Sequence, residues 1–275
     1  MQPQCEDSDQ TQTPERTPAF HNGFGPNTGK LGHILKFSQK AVEKYTAELK
    51  TLSTGLVGLR GPGGEQAQKI RAITKGVAKQ VTDFTGGMLA IHEMMPVLFV
   101  AIVEAYLKDV LIFATGLDTT IMEGTGLTKT YQDAVNAKSL EELILEFRTE
   151  WARSFVDNGG PTTWTKRLEK MGAGHYRPET VGQMETLWGV RHLIVHWAGI
   201  ANADFVRSHP ELKPQVGKRL IVNYAQIKQW SAAMYDFVDI TDQYFVRRCQ
   251  KSQKLLANAD APNASETQGE SLHAP

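Results

Sequence analysis

A long apolar segment, running from Met94 to Phe113, constrains the fold of this chain more than any other feature. Its length approaches that of a transmembrane helix, but Glu104, Lys108 and Asp109 interrupt it. Charged side chains are costly in the hydrocarbon core of a bilayer, so the pattern indicates a buried helix of a soluble protein. No membrane partner is expected.

The composition permits a full hydrophobic core but says little about partners. The chain has 275 residues, of which 41% are hydrophobic, enough for one large domain or two small ones. Basic and acidic residues balance at 30 each, whereas residues 151–250 carry 13 Lys and Arg against 9 Asp and Glu. This local surplus is compatible with contacts to phosphate groups without requiring them, and no DNA partner is expected because a DNA-coating protein would be far more basic.

The cysteines and the N-terminus indicate the cellular compartment. Cys5 and Cys249 lie near opposite ends of the chain, and nothing around them has metal-ligand spacing. A disulfide framework is therefore not expected, and a reducing compartment fits. The first residues are polar and acidic, without the basic start and apolar run of a signal peptide. We therefore predict a cytoplasmic protein.

Composition also divides the chain into four segments. Residues 1–30 and 251–275 contain little that can be buried and are predicted to be disordered tails. Residues 31–85 show a weaker helical pattern, broken by glycine and proline over 59–64, and are predicted to form an accessory helical segment. Residues 86–250 carry the strongest helical periodicity and are predicted to form the main bundle.

The expected fold class is all-α, because apolar residues recur at helical spacing and no alternating strand pattern is present. Ser139 with Glu142 and Asn223 with Gln226 have the spacing of helix capping boxes, and Pro161 suits the first turn of a short helix. A short extended stretch is possible at 218–222. The predicted core helices span 86–115, 139–157, 178–199 and 223–249.

The helix predicted over 178–199 contains an arginine in an apolar setting. At about 100° per residue, Arg191 falls in the middle of one apolar stripe of this helix. A guanidinium stays charged, so Arg191 must meet a carboxylate, face a cleft or face a partner chain. The opposite side of the helix is also apolar, which predicts that the helix is sandwiched between its own bundle and a second protomer. The first stripe consists of Met184, Leu187, Trp188, Ile194 and Val195, and the second of Val190, Leu193 and Trp197.

Two histidines share a third face of the same helix. His192 and His196 are four residues apart and are therefore neighbours. Arg191 and His196 are about 140° apart on a regular helix, so they do not point together. Three explanations remain open at this stage. The arginine bends toward the histidine, the helix distorts near Gly199, or two helices across a dimer axis combine the two groups.

Several segments together resemble the HEPN superfamily (higher eukaryotes and prokaryotes nucleotide-binding), in particular its RiboL-PSP-HEPN group. The segment Arg191-His-Leu-Ile-Val-His196 fits the family signature of an arginine, a polar residue, three variable residues and a histidine. Three further segments are also similar to this group. They are the upstream helix Phe99–Asp109, the Gly159-Gly-Pro-Thr turn and the residues from Leu187 that lead into Arg191. The resemblance covers about residues 85–250.

The resemblance implies an up-and-down helical bundle that dimerises and cleaves RNA without a metal, often as a toxin or defence effector with an antitoxin protein as partner. Arg191 and His196 are then the catalytic residues, with His192 in support. Glu104 is a further candidate for a supporting role, although an ordinary pair with Lys108 is slightly favoured for it. RNA supplies its own nucleophile, the 2′-hydroxyl, and the product is a 2′,3′-cyclic phosphate. An imidazole exchanges protons near neutral pH and a guanidinium binds phosphate, so these residue types suit the reaction. No cofactor is implied.

Other interpretations of the same residues remain open. Arg191 pairs with Glu104 or another carboxylate for structural reasons alone, or Glu104 forms an ordinary helical pair with Lys108. His192 and His196 have a spacing that permits metal binding, but the motif lacks the glutamate of metalloproteases, so no metal site is expected. The alternative function is a non-catalytic module that binds a nucleotide or a protein. His209, in a predicted loop without a visible partner, is interpreted as a surface residue.

Overall fold

The structure is a computed structural model that describes residues 15–58, 65–123 and 128–259. Within these ranges the chain forms helices and no strand, apart from an isolated antiparallel bridge between Ile200 and Arg219. The predicted all-α bundle is therefore confirmed. The described helices are α1 (Gly25–Gly58), α2 (Glu65–Leu117), α3 (Tyr131–Asn136), α4 (Leu140–Asp157), α5 (Pro161–Lys170), α6 (Pro178–Trp197), α7 (Ala203–Ser208) and α8 (Tyr224–Ala259).

Helix α2 lies at the centre of the bundle and packs against α1, α4, α6 and α8. The predicted buried helix lies in its second half, which continues through Pro96. Each fully buried large apolar side chain contributes roughly 1.5–3 kcal/mol, so this stripe is a main source of stability. No helix in the described ranges has the length and apolar character needed to cross a membrane. The stripe consists of Met95, Phe99, Val103, Tyr106, Leu107, Val110, Leu111 and Ala114.

The predicted caps form, with one difference. Asn223 and Gln226 cap each other reciprocally, each side chain accepting a hydrogen bond of 3.0 Å from the other residue's backbone N–H. Ser139 accepts from the backbone N–H of Glu142 at 3.1 Å, but the Glu142 carboxylate accepts from Lys138 at 2.7 Å. The glutamate thus satisfies the backbone donor one residue before the cap. Pro161 starts α5, as predicted.

The expected disordered tail over 1–30 is wrong for residues 15–30. A π-helical turn over Phe20–Phe24 leads directly into α1, and Phe24 is completely buried beside Tyr106 and Tyr235. The segment contributes an aromatic side chain to the core, although its glycine, proline and threonine content suggested nothing to bury. Residues 1–14 of the predicted tail lie outside the described residues.

A buried carboxylate attaches this N-terminal segment to α8. Asp242 has no solvent-exposed surface and accepts hydrogen bonds from the backbone N–H and the hydroxyl of Thr17 and from the Tyr106 hydroxyl. Arg16 lies 3.9 Å from the same carboxylate. A buried carboxylate is tolerated only when donors surround it, so Asp242 and Thr17 stabilise each other's positions.

Two further predicted segment limits differ from the structure. The expected limit at 85/86 falls inside α2, since residues 65–85 and the apolar segment form one continuous helix. At the C-terminus, α8 continues to Ala259, so residues 251–259 are helical instead of belonging to a tail. The predicted break over 59–64 and the last residues, 260–275, lie outside the described part of the chain.

The end of α6 is held against α2 by the segment that returns after α7. Ala198 and Gly199 adopt the left-handed conformation, with φ of 50° and 76°, and end the helix. Residues 217–220 then run beside 199–201, as the hydrogen bond of 2.8 Å from the Leu220 N–H to the Gly199 carbonyl shows. The neighbouring Arg219 donates two hydrogen bonds, of 2.9 and 2.6 Å, to the carboxylate of Glu93 on α2.

The same returning segment places a histidine against the backbone of α6. His209 is largely buried, its ring lies 4.7 Å from that of Phe205, and its Nδ1 lies 3.4 Å from a carboxylate oxygen of Glu211. A Cβ atom at position 189 would overlap the imidazole, so Gly189 is what permits this contact. The interpretation of His209 as a surface residue without a partner is therefore wrong.

The burial of Phe24 predicts a large effect of its removal. Phe24→Ala should lower the free energy of unfolding by about 3–5 kcal/mol, because it leaves a cavity in the core. The matched control is Phe37→Ala, which removes a largely exposed ring from the next part of α1 and should change stability by less than about 0.5 kcal/mol. Chemical denaturation measures both. Equally small effects would show that the N-terminal segment does not pack into the core.

The contact between Gly189 and His209 predicts that the effect of Gly189→Ala on the free energy of unfolding changes sign when the His209 ring is removed. Gly189→Ala should destabilise the wild-type protein by about 1–3 kcal/mol, because the new methyl group displaces a packed ring. In a His209→Ala background the same substitution should stabilise it by roughly 0.5–1 kcal/mol, the usual gain of alanine over glycine in a helix. A double-mutant cycle followed by urea denaturation measures both changes. Stabilisation in both backgrounds would contradict the contact.

Candidate functional site

Helix α6 has one buried side and one side that faces outward. Its buried side is formed by Met184, Leu187, Val190 and Leu193, which pack into the bundle. The outward side carries the half-buried Trp188 and the exposed residues His192, Val195 and His196. The two apolar stripes expected from the sequence do not correspond to a buried side and an open side. The buried side combines Met184 and Leu187 of the first stripe with Val190 and Leu193 of the second, whereas Val195 of the first stripe and Trp197 of the second are exposed.

Arg191 and His196 do not meet within one chain. Helix α6 keeps its helical geometry to Trp197, so any distortion near Gly199 begins only after His196. Among the described residues, no hydrogen bond connects the two side chains, and on a regular helix they diverge by about 140°. Of the three explanations left open by the sequence, a distorted helix is thus not what this structure has.

Arg191 lies at the seam between α6 and α2, half-buried and without a carboxylate at salt-bridge distance in the described part of the chain. Its guanidinium carbon lies 5.8 Å from the centre of the Trp188 ring, a cation–π contact. The Trp188 ring is in turn fixed by an edge-on contact with Trp164, at 4.9 Å between ring centres. The spacing of three residues between Trp188 and Arg191 is the sequence signal that could have predicted this contact.

Glu104 faces this seam from α2. Burial raises the pKa of Glu104, and the positive charges of Arg191 and Lys108 offset part of that rise. The expected helical pair between Glu104 and Lys108 is not formed, because the Lys108 ammonium lies 2.9 Å from the carboxylate of Asp157. Glu104 is therefore a half-buried carboxylate that forms no ion pair within the described ranges and interacts electrostatically with Arg191.

The two histidines form a pair on the outward side. The ring centres of His192 and His196 are 4.4 Å apart, and the planes are tilted by 43°. Both side chains are exposed, so they are accessible to a ligand as a unit. The residues that the structure describes contain no group of three or more His, Cys, Asp and Glu side chains able to hold a metal ion. Two imidazoles alone fall short of the ligands that a zinc site uses.

Exposed apolar side chains surround this end of α6. Val195, Trp197 and Ile200 are 50%, 53% and 48% exposed, respectively. Met94 and Leu98 are also exposed on α2, close to Glu93, which binds the segment after α6. Large apolar side chains grouped on a surface often mark a protein interface. Among the predicted site residues, the structure thus brings Glu104 toward Arg191 and His192 toward His196, with uncovered apolar surface nearby.

The chain was compared with protein-family models, with curated proteins and with solved structures, and none of them matches it. The resemblance to the HEPN superfamily stays a prediction from the sequence, above all from the segment Arg191 to His196.

Proposed function

We propose that this protein is a metal-independent endoribonuclease of the HEPN type that acts as a homodimer. One observation carries the proposal. On α6, an arginine without an ion pair in the described chain and a pair of exposed imidazoles border an outward face, near which Val195, Trp197 and Ile200 are about half exposed. Arginine and histidine are the residue types that bind a phosphodiester and move its protons at neutral pH.

The dimer is inferred from the positions around α6. The direction midway between Arg191 and His196 is occupied by Trp188, His192 and Val195, and the two site residues lie about 70° to either side of it. A helix packed on this face therefore has Arg191 at one edge and His196 at the other. A second copy of the chain presents the same set, so two arginines and two histidines line the shared groove. The exposed apolar residues near the face provide the area that such an interface needs.

The reaction follows from what these groups can donate and accept. His196 takes the proton of the RNA 2′-hydroxyl, and the 2′-oxygen attacks the adjacent phosphorus. The bond from phosphorus to the 5′-oxygen breaks, and that oxygen receives a proton from an imidazole of the groove. The products are a 2′,3′-cyclic phosphate and a 5′-hydroxyl. Arg191 stabilises the charge on the phosphate, His192 orients the substrate or its neighbouring imidazole, and Glu104 helps to orient Arg191.

The proposal also specifies partners. RNA is the substrate, and because the nucleophile comes from the RNA itself, the step needs no metal. An active endoribonuclease in the cytoplasm damages its own cell, so we infer an antitoxin protein that restrains it. The groove around α6 is the surface that such a protein has to cover.

A second candidate is a HEPN module that binds a nucleotide or a protein without cleaving RNA. The interaction between Arg191 and Glu104 favours it, since an arginine that interacts electrostatically with a carboxylate across a helix seam can have a structural role without any substrate. This candidate and the nuclease differ in their dependence on His196, which faces outward and adds little to the packing.

The nuclease proposal predicts the effect of four substitutions. His196→Ala should reduce the cleavage rate by about 10²–10⁴-fold, because it removes the proton carrier. Arg191→Ala should also abolish cleavage, and Arg191→Lys should be poor because a point charge cannot hold phosphate at two positions. His175→Ala is the matched control, since this exposed histidine lies before the opposite end of α6, and it should cleave normally. The assay uses total RNA with and without EDTA and identifies the product ends.

Cleavage is expected to survive EDTA and to leave 2′,3′-cyclic phosphate ends. Equal cleavage by wild-type protein and His196→Ala would point to contamination or to a different site. If neither protein cleaves any of a broad set of RNAs, the nuclease proposal is falsified and the binding module is favoured.

The dimer predicts a coupled loss of assembly and activity. Wild-type protein should sediment as a dimer at micromolar concentration, whereas Val195→Asp should be monomeric and inactive because it buries a charge in the interface. Leu140→Asp, which changes an equally apolar and exposed residue at the start of α4, should remain dimeric and active. A wild-type monomer at this concentration would remove the basis for a shared groove.

A further inference from the structure

A second candidate site is lined by residues outside α6. A cavity of about 570 Å³ opens between α4, α5 and α8, next to the turn that precedes α6. Its lining contains neither Arg191 nor any of His192, Val195 and His196. The cavity is therefore separate from the groove proposed above. Its lining includes Ile121, Trp151, Phe155, Arg167, Lys170 and Arg248.

The floor of this cavity is apolar and aromatic. Ile121, Trp151 and Phe155 are each less than one tenth exposed, and the two aromatic rings lie 5.9 Å apart. The polar residues Ser154 and Thr120 are also part of the lining. An apolar, partly aromatic floor with a few polar groups at its edge is the usual character of a site for a small ligand.

The rim of the cavity is basic. A neighbouring cavity of about 640 Å³ shares Arg248 with the first one and adds Arg247 and Lys251 to its lining. The two together hold five cationic side chains and two carboxylates, Asp118 and Glu123. The charge of Asp118 is already compensated, since Arg248 donates a hydrogen bond of 2.7 Å to it. A chain without net charge thus concentrates positive charge at one place.

Arg167 is the most informative of these cations. It donates hydrogen bonds of 2.7 Å to the carbonyl of Phe155 and 3.4 Å to that of Asn158, at the end of α4. These contacts hold the guanidinium in place, with its carbon 5.4 Å from the centre of the Phe155 ring. Because carbonyl groups carry no net charge, Arg167 keeps its full positive charge. Within the described ranges no carboxylate lies within salt-bridge distance of it. A rigid cation beside an aromatic floor suits an anionic ligand that also carries a ring.

Three further cations are exposed, with Lys170 in the same cavity as Arg167 and with Arg247 and Lys251 in the neighbouring one. Lys170, Arg247 and Lys251 are exposed, and the part of the chain that the structure describes offers none of them an ion pair. They can therefore turn toward a ligand without breaking an existing contact. By contrast, Arg248 is fully engaged, since it also donates to the Tyr244 hydroxyl and to Thr120.

We propose that this cavity binds a nucleoside phosphate. The phosphate groups lie between Arg167 and the exposed cations of the rim, and the base lies against the floor formed by Trp151 and Phe155. The site binds its ligand and performs no chemistry on it. A free nucleotide and a nucleotide within an RNA strand both present a base and a phosphate to such a site. The inference goes beyond the proposed nuclease, and it holds whether or not the groove on α6 cleaves RNA.

The test is calorimetric titration of the full chain with four probes, which are ADP, adenosine, pyrophosphate and a short 2′-O-methyl RNA. The methylated strand lacks the nucleophilic hydroxyl, so it reports binding even if the protein is a nuclease. ADP or the RNA should bind more tightly than adenosine or pyrophosphate, since neither fragment uses both floor and rim. Binding of ADP indicates a free nucleotide as ligand, and binding of the RNA without ADP indicates a strand.

The variant for this site is Lys170→Glu combined with Arg247→Glu, which changes two exposed side chains and should leave the melting temperature unchanged. It should weaken binding of the preferred probe by about tenfold or more, because two attractive charges become repulsive. Lys228→Glu, at an exposed position on α8 outside both cavities, is the control and should change affinity by less than about twofold. Arg167→Gln should weaken binding as well.

Three results would overturn the inference. The first is that neither ADP nor the RNA binds. The second is that pyrophosphate binds as tightly as ADP, which indicates a basic surface without a site for a ring. The third is that the double variant binds as well as the wild-type protein, which places the binding elsewhere. Activity of His196 variants does not enter any of these results, so the test is independent of the nuclease proposal.

Discussion

The structure depends on the burial of the apolar stripe of α2. This stripe spans Met95–Ala114 and is covered by α4, α6 and α8 together. Covering it fixes the rotation of α6, because Leu187, Val190 and Leu193 must turn inward. Once these residues are inside, the geometry of a helix leaves His192, Val195 and His196 outside. The position of the candidate site is thus a consequence of core packing, and no interaction within the site is needed to establish it.

Asp242 and Glu104, a buried and a half-buried carboxylate of the bundle, have different surroundings. Asp242 is surrounded by donors from Thr17 and Tyr106, so its role is to hold the N-terminal segment in place. Glu104 has no such donors in the described ranges, and burial raises its pKa. A carboxylate whose oxygens all accept hydrogen bonds has a structural role. A carboxylate that interacts only electrostatically with a nearby charge changes its pKa when that charge moves. In the proposed nuclease, contact of Arg191 with a phosphate is therefore expected to change the surroundings of Glu104 and to leave Asp242 unaffected.

How far the sequence predicts this fold depends on the range of the contacts involved. The helices and the caps at Ser139 and Asn223 are local, so periodicity and spacing were enough to predict them. The burial of Phe24 depends on α2 and α8, and the contact of His209 depends on the missing side chain of Gly189 in another helix. Such long-range contacts cannot be predicted from the local composition of the chain. At the site, spacing predicted the histidine pair correctly. It could not show that Lys108 forms an ion pair with Asp157 instead of Glu104.

The separation of Arg191 and His196 has a consequence for regulation in the proposed nuclease. If the two groups met within one chain, the site would be complete in every monomer. Because they lie at opposite edges of an uncovered face, only an assembly that covers this face can place both beside one phosphodiester. Formation of the dimer interface then completes the site in the same step. Because dimerisation depends on protein concentration, cleavage depends on it as well. A protein partner that occupies the face of α6 inhibits the enzyme by preventing assembly, without having to reach the catalytic groups themselves.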